Sequence, residues 1–155
     1  MKEFLKETQP IFYRILEKSF KENKKTHAFL LVGDYTDDIA TFIAQSYICH
    51  EDTLACETCD DCIRIKEGLY PDMIVCDGKE TSIKKSDIDH IQEEFVKSSV
   101  ENNGKVYILK NIDNATIQAM NSLLKFLEEP VEEVYAILTT KNINCLLYTS
   151  DAADD

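Results

Sequence analysis

The chain has 155 residues, 44% of them apolar, with four glycines and three prolines, enough for one globular domain and unlike a disordered or low-complexity segment. Lys and Arg number 17 against 29 Asp and Glu, and the formal charge of −12 disfavours broad electrostatic binding to DNA or an anionic membrane, because phosphate neutralisation needs clustered cations. No apolar run approaches the ~20 residues of a membrane span and the start of the chain lacks a charged-then-apolar signal layout, so a cytoplasmic protein with reduced thiols is expected.

Thr8, Gln9 and Pro10 open a first helix, with Pro10 in the first turn where its missing donor costs nothing. Ile11, Ile15, Leu16 and Phe20 recur at helical spacing, and the helix runs to about Asn23. Lys21, Lys24 and Lys25 at its end read as solvated surface that offsets the helix dipole. His27 to Val32 is a short continuous apolar run, the pattern of a buried parallel strand. Gly33 ends it, residues 34–37 turn, and a helix follows with Ile39, Phe42, Ile43 and Tyr47 on one side, ending near Cys49.

Here the chain carries its strongest chemical signal. Cys49, Cys56, Cys59 and Cys62 are separated by six, two and two residues. A tetrahedral zinc site needs four soft thiolates converging from tight turns, and the two short gaps supply the knuckles while Cys49 returns from the preceding helix. Four reduced cysteines without metal, or a redox dithiol, are the competing readings; no aromatic-flanked pair opens a helix as a redox motif would. Glu57, Thr58, Asp60 and Asp61 are polar, as a small core-less module held by metal requires, and His50 is expected to point to solvent.

Cys62 to Gly68 completes a short helix stopped by glycine, and Tyr70 to Asp77 reads as a second strand, with Cys76 a small buried hydrophobe inside it. Lys85 to Ser98 is a helix capped by Ser86, with Ile88, Ile91, Phe95 and Val96 on its apolar face. Lys105 to Leu109 is a third strand, and Asn111 to Asn114 turn into a helix whose Ile117, Met120, Leu123, Leu124 and Leu127 pack inward before Glu128, Glu129 and Pro130 close it. Val134 to Leu138 is a fourth strand. Strands alternating with helices imply an α/β fold with a parallel sheet covered on both faces.

In such a sheet, ligands gather at the carboxyl ends of the strands, so the loop after Val32 is the first candidate for phosphate binding. A working phosphate loop reads G-x-x-x-x-G-K-[ST]: glycines let backbone donors wrap the phosphates, the lysine meets the terminal phosphate and the hydroxyl holds magnesium. Here Gly33 is followed by Asp34, Tyr35, Thr36, Asp37 and Asp38, with no second glycine, no lysine, and three carboxylates that repel a triphosphate. Lys110 and Asn111 stand where a magnesium-binding aspartate belongs, and nearby Asp113 reads as a turn residue. His27, His50 and His90 lack the paired nucleophile and carboxylate of a triad, so no catalytic residue is assigned.

Pro10, the strand opening at His27, the four-cysteine insert, Tyr70-Pro71-Asp72, Lys105 to Leu109 and above all residues 121–130, NSLLKFLEEP, resemble the clamp-loader ATPase family of bacterial DNA polymerase III over residues 8 to 144. The resemblance implies an AAA+-like, P-loop-type domain over residues 1–144, with a zinc module at about 49–68 inserted in it. The family's motor subunit, called tau or gamma, keeps an intact phosphate loop, whereas a stator member has a degraded one. The loop at Gly33 to Asp38 is similar to the stator's. That implies structural Zn2+, no useful ATP binding, and a role in holding the motor and clamp-opening delta subunits for sliding-clamp loading onto primer-template DNA, away from any membrane. By the same resemblance Thr139, Thr140 and Asn142 fall near the nucleotide sensor, with no such job assigned, and a serine-arginine-cysteine motif whose arginine acts on a neighbour's ATP is expected after Asn144. An ATP-hydrolysing motor and a stand-alone zinc module for nucleic acid are the alternatives; the absent loop lysine and glycine count against the first, and Glu51, Glu57, Asp60 and Asp61 against the second.

The stretch 145–155, CLLYTSDAADD, resembles the translation of a sequencing-library adapter and is expected to be a non-native tail, leaving Cys145 without functional meaning. Setting aside Asp151, Asp154 and Asp155 leaves 26 acids against 17 bases, a net charge of −9.

Overall fold

The structure, a computed structural model, describes residues 1–95, 97, 104–129 and 132–141. Four strands, β1 (Ala28–Val32), β2 (Met73–Asp77), β3 (Lys105–Lys110) and β4 (Val134–Thr140), form one sheet in the order β1-β4-β3-β2. All three pairings are parallel. The helices are α1 (Lys2–Thr8), α2 (Pro10–Lys21), α3 (Asp37–Ile48), α4 (Asp60–Glu67), α5 (Lys85–Phe95) and α6 (Ile117–Glu128), with a short 3-10 turn at Ile112–Asn114.

Side chains alternate across the two middle strands and divide the interior into two layers. Val106, Ile108 and Ile137 face α1 to α4, packing with Leu16, Phe42, Ile43 and Ile48. Tyr107, Leu109, Ala136 and Leu138 face α5 and α6, meeting Ile88, Ile91, Met120 and Leu123. The two-sided cover expected from the sequence is therefore present, and its cause is visible in β3, where every residue but the last is buried. Ring contacts tie each layer to the sheet: Tyr47 stacks on Tyr135 at 4.0 Å, and Tyr107 lies 5.6 Å from Phe126. The Tyr47 hydroxyl donates to the Thr26 carbonyl, and burial pushes its pKa well above the usual phenol range.

Several local expectations need correction. A helix, α1, precedes Pro10; it buries only Leu5 and has no repeated apolar spacing to announce it. Pro10 is the first residue of α2, but that helix turns Tyr13, Leu16 and Phe20 inward and leaves Ile11 and Ile15 70% and 62% exposed. Apolar residues lie on more than one side of α2, so its neighbour Tyr47, 5.1 Å from Phe20 between ring centres, decides the face. The first strand is half-buried, because β4 alone pairs with it and it forms a margin of the described sheet. Cys76 is likewise partly buried, in the other marginal strand. Ser86 does not cap α5, which begins one residue earlier; the Asp87 carboxylate accepts the Lys84 N–H at 2.8 Å. Ile117 opens α6 pointing outward, and Leu124 and Leu127 are half-buried. Val96, Ser98 and Pro130 lie outside the described residues.

Two buried details lock the sheet ends. Lys105 is almost inaccessible, and its ammonium donates to the carbonyls of Glu94, at 3.1 Å, and Lys97, so a buried cation answers the carbonyl end of α5. Gly78 follows β2 where a Cβ would stand 2.6 Å from the Asn111 carbonyl oxygen. That is backbone, which cannot swing aside. Gly78→Ala is expected to destabilise the chain by about 1–3 kcal/mol, read as a lower midpoint of thermal unfolding.

Candidate metal centre and strand-end loop

The four cysteines converge. Cys49 ends α3 with an extended backbone, Cys59 is the N-cap of α4, and Cys62 lies buried in the first turn of that helix. Glu57 takes a left-handed conformation, φ 66°, which folds the turn carrying Cys56 back towards Cys59. All four sulfurs lie within 4.8 Å of one another, with Cys59 and Cys49 4.0 Å apart. Four sulfurs around one zinc at ~2.3 Å stand roughly 3.8 Å apart, so the cage matches a tetrahedral thiolate site with only a small contraction.

Backbone donors surround these sulfurs. The N–H groups of Glu51 and Cys56 reach the Cys49 sulfur at 3.4 and 3.5 Å, and that of Cys59 reaches the Cys56 sulfur at 3.2 Å. Cys62 N–H reaches Cys59 at 3.5 Å. Such donors favour the thiolate. The Thr58 backbone, reinforced by that of Cys59, pulls the Cys56 thiol down to about 6, while burial pushes Cys59 and Cys62 up. A metal ion held here must displace the protons of the two thiols that burial keeps protonated. The donor set and its spacing fit a structural metal ion with no open coordination position.

The module around the cysteines is not core-less, as its polar linkers had implied. Leu54, Ala55, Cys62 and Ile65 are buried in the layer that holds α3. Gln45 donates to the Cys62 carbonyl at 2.8 Å, and the Ser46 hydroxyl accepts the Ala55 N–H at 3.0 Å. Arg64 pairs with Asp61 at 2.7 Å and Asp60 at 3.2 Å and lies over the Tyr70 ring. His50 is exposed and outside the cysteine cage.

At the carboxyl ends of the strands an open cleft of about 590 Å³ is lined by Gly33 to Asp38 together with Lys79, Asn111 and Lys141. The Gly33 N–H is already donated to the Thr140 carbonyl at 2.9 Å. Tyr35 is left-handed and 95% exposed, and α3 begins at Asp37, so four residues span the gap from strand to helix. Asp37 reaches Lys110 only at 4.0 Å.

Residues that sequence alone left idle hold this end of the sheet together. The Asp113 carboxylate accepts the Thr140 hydroxyl at 2.7 Å and the Lys141 N–H at 3.1 Å. Asn111, left-handed at φ 56°, donates its N–H to the Thr139 hydroxyl oxygen at 3.0 Å and its amide to Asp77 at 2.7 Å. Thr139 and Thr140 are therefore engaged within the fold, and Asn142 lies outside the described residues. No local signal pairs Asp113 with a threonine 27 positions away. Replacing Asp113 with alanine is expected to cost about 1–3 kcal/mol in urea unfolding, since it removes the carboxylate that accepts both the Thr140 hydroxyl and the Lys141 N–H.

A parallel sheet in this strand order, with a thiol cluster inserted between the first strand-helix unit and the second strand, defines an α/β domain with helices on both faces. A solved DNA polymerase III gamma subunit-related protein from Thermotoga maritima shares the fold, with a TM-score of 0.58 and 22% identity over 86% of this chain and 42% of that one. The family described as DNA polymerase III, delta subunit, matches residues 8–151, and the chain belongs to it. It is 38% identical over 149 residues to the DNA polymerase III subunit delta' of Bacillus subtilis, covering 94% of this chain and 45% of that protein. Similarity to the DNA polymerase III subunit tau of Escherichia coli is weaker, 29% over 74% of this chain and 18% of tau. The chain thus spans less than half the length of these relatives. Among the described residues no helix is long and apolar enough to cross a membrane.

Proposed function

We propose that the chain is the N-terminal part of a delta-prime-type clamp-loader subunit, a non-hydrolysing stator that supports loading of the sliding clamp onto primer-template DNA in the cytoplasm. The loop from Gly33 to Asp38 carries this reading: a four-stranded αβ scaffold surrounds it, yet the loop has neither the length nor the cation of a phosphate cradle. Fold and active site are separable, and a scaffold retained without phosphate chemistry serves most simply as a fixed partner surface. Its partners would be the tau/gamma motor subunits and delta. The four cysteines would hold Zn2+ in a closed structural site that stiffens the outer face of the module.

The domain is proposed to comprise residues 1–144 with the metal module inserted, and 145–155 to be foreign to it, although the family match itself extends to residue 151. An arginine beyond Asn144 in the native frame would complete a neighbour's ATP site, contributing roughly 10³-fold to hydrolysis there. Reconstitution with motor and delta subunits, using the chain extended along its native frame, tests the role. Leaving the subunit out is expected to suppress DNA-stimulated ATP hydrolysis and clamp loading together. Unchanged rates, or ATP hydrolysis by the isolated subunit, would return the reading to a motor or to a module unrelated to clamp loading.

A further inference from the structure

The first helix reaches across to the metal loop. Lys2 Nζ lies 2.7 Å from the Asp52 carboxylate, and the Met1 amino group lies 3.2 Å from that of Glu57. Asp52 sits between the first and second cysteines, Glu57 between the second and third. Leu5 is completely buried in the same layer as Cys49, Leu54, Ala55 and Cys62, and the Met1 side chain packs on that layer with Cys56 and Cys59. Helix α1 has seven residues and no side-chain cap. Isolated helices shorter than about 12–15 residues are marginal in water, so α1 owes its order to the surface it lies on.

We propose that α1 is a strap over the metal centre: its docking and metal occupancy stabilise one another, with Lys2 and Leu5 as positioning residues that slow metal loss. This rests on the reading of the four cysteines as a metal centre. A bound ion fixes the turns from Cys49 to Cys62, and those turns present the Asp52 carboxylate and help form the seat of Leu5. When the ion leaves, the turns lose their common anchor, and α1 loses both contacts at once. Coupling between two such equilibria is reciprocal, so anything that undocks α1 must weaken the hold on the metal by the same factor. Release of α1 would also uncover Leu5 beside Phe4 and Ile11, which are already exposed, making the metal-free chain stickier than the loaded one.

The 155-residue chain loaded with Zn2+ provides the test. Zinc content is measured first, then its transfer to an excess of chromophoric chelator for the native chain, Lys2→Asp, Asp52→Lys and the double charge swap. Each single reversal is expected to speed release roughly two- to fivefold, the range of a half-exposed ion pair, and the double swap to restore the native rate. Leu5→Ala is expected to speed it roughly tenfold or more. Hydrogen exchange supplies the reverse direction: amides 3–8 should lose protection on chelation while those of α5 keep theirs. If the whole chain loosens on chelation, the release rates, taken from the folded zinc form, still decide. A chain that takes up no zinc overturns the metal reading and the strap with it. Zinc bound with release indifferent to the three single variants, or a double swap that fails to restore the rate, overturns the strap and leaves the metal centre standing.

Discussion

Cys59→Ser is expected to lower bound zinc from one ion per chain to a small fraction of that and to bring the largest loss of stability of any surface-accessible single change. Closed thiolate sites contribute apparent binding energies of about 10–16 kcal/mol in small zinc modules at neutral pH, and that energy appears as folding energy because the unfolded chain has no preformed site. Here Cys59 has two duties, since its sulfur also accepts the Cys62 N–H as the N-cap of α4. Serine keeps a capping oxygen but is a poor soft-metal ligand, so the substitution separates the cap from the metal. A destabilisation of about 3 kcal/mol or more is expected, lowering the thermal midpoint by roughly 10 °C. Damage should spread through the layer holding Leu54, Cys62 and α3 before reaching the α5–α6 layer, because the module shares buried residues with the first and not the second. Elemental analysis and thermal unfolding of the purified variant check both parts. Undiminished zinc, or an unchanged midpoint with zinc lost, would count against a structural metal.

How well the sequence could be read depended on how much of a signal lay within one element. The cysteine spacing is such a signal, because short knuckle gaps constrain geometry whatever the surroundings, and the structure brings all four sulfurs together. β3 and β4 are middle strands with neighbours on both edges and layers on both faces, so their apolar runs are continuous and legible. What stayed hidden was decided by a neighbour. Helix α1 exists because the cysteine loop and α2 offer it a seat, and its own sequence carries one buried residue. The inward face of α2 is chosen by the aromatic rings of α3 and β1, which Phe20 and Phe12 meet. Asp113 and Asn111 read as turn residues, and they are, but the partners that make them structural come from β4 and β2. The lack of a second glycine and a lysine after Gly33 was readable in the sequence, while the commitment of the Gly33 N–H to Thr140 required the sheet.

Titration of the chain with magnesium-ATP is expected to give no saturable binding below about 1 mM, against the micromolar range of a working phosphate loop, a difference of at least about 4 kcal/mol. Three features act in one direction. Phosphate binding at a strand-helix junction draws on backbone donors that wrap the anion, and the four residues between β1 and α3 leave little chain to wrap with, one donor being spent on Thr140. Asp37 and Asp38 place two carboxylates in the first turn of α3, satisfying the helix dipole that would otherwise attract phosphate. Lys79 and Lys141 line the cleft, but they come from other loops and share it with the acidic loop residues. Charge and geometry can be separated by Asp37→Lys with Asp38→Thr, which restores the cation and the hydroxyl of a phosphate loop without lengthening it. The double variant is expected to bind magnesium-ATP detectably yet remain more than roughly tenfold weaker than micromolar, because a lysine and a hydroxyl do not replace the missing backbone cradle. Calorimetric or fluorescent-analogue titration of both chains distinguishes the cases. Micromolar binding by the native chain would overturn the stator reading, and micromolar binding by the double variant alone would show that charge, not loop length, had silenced the site.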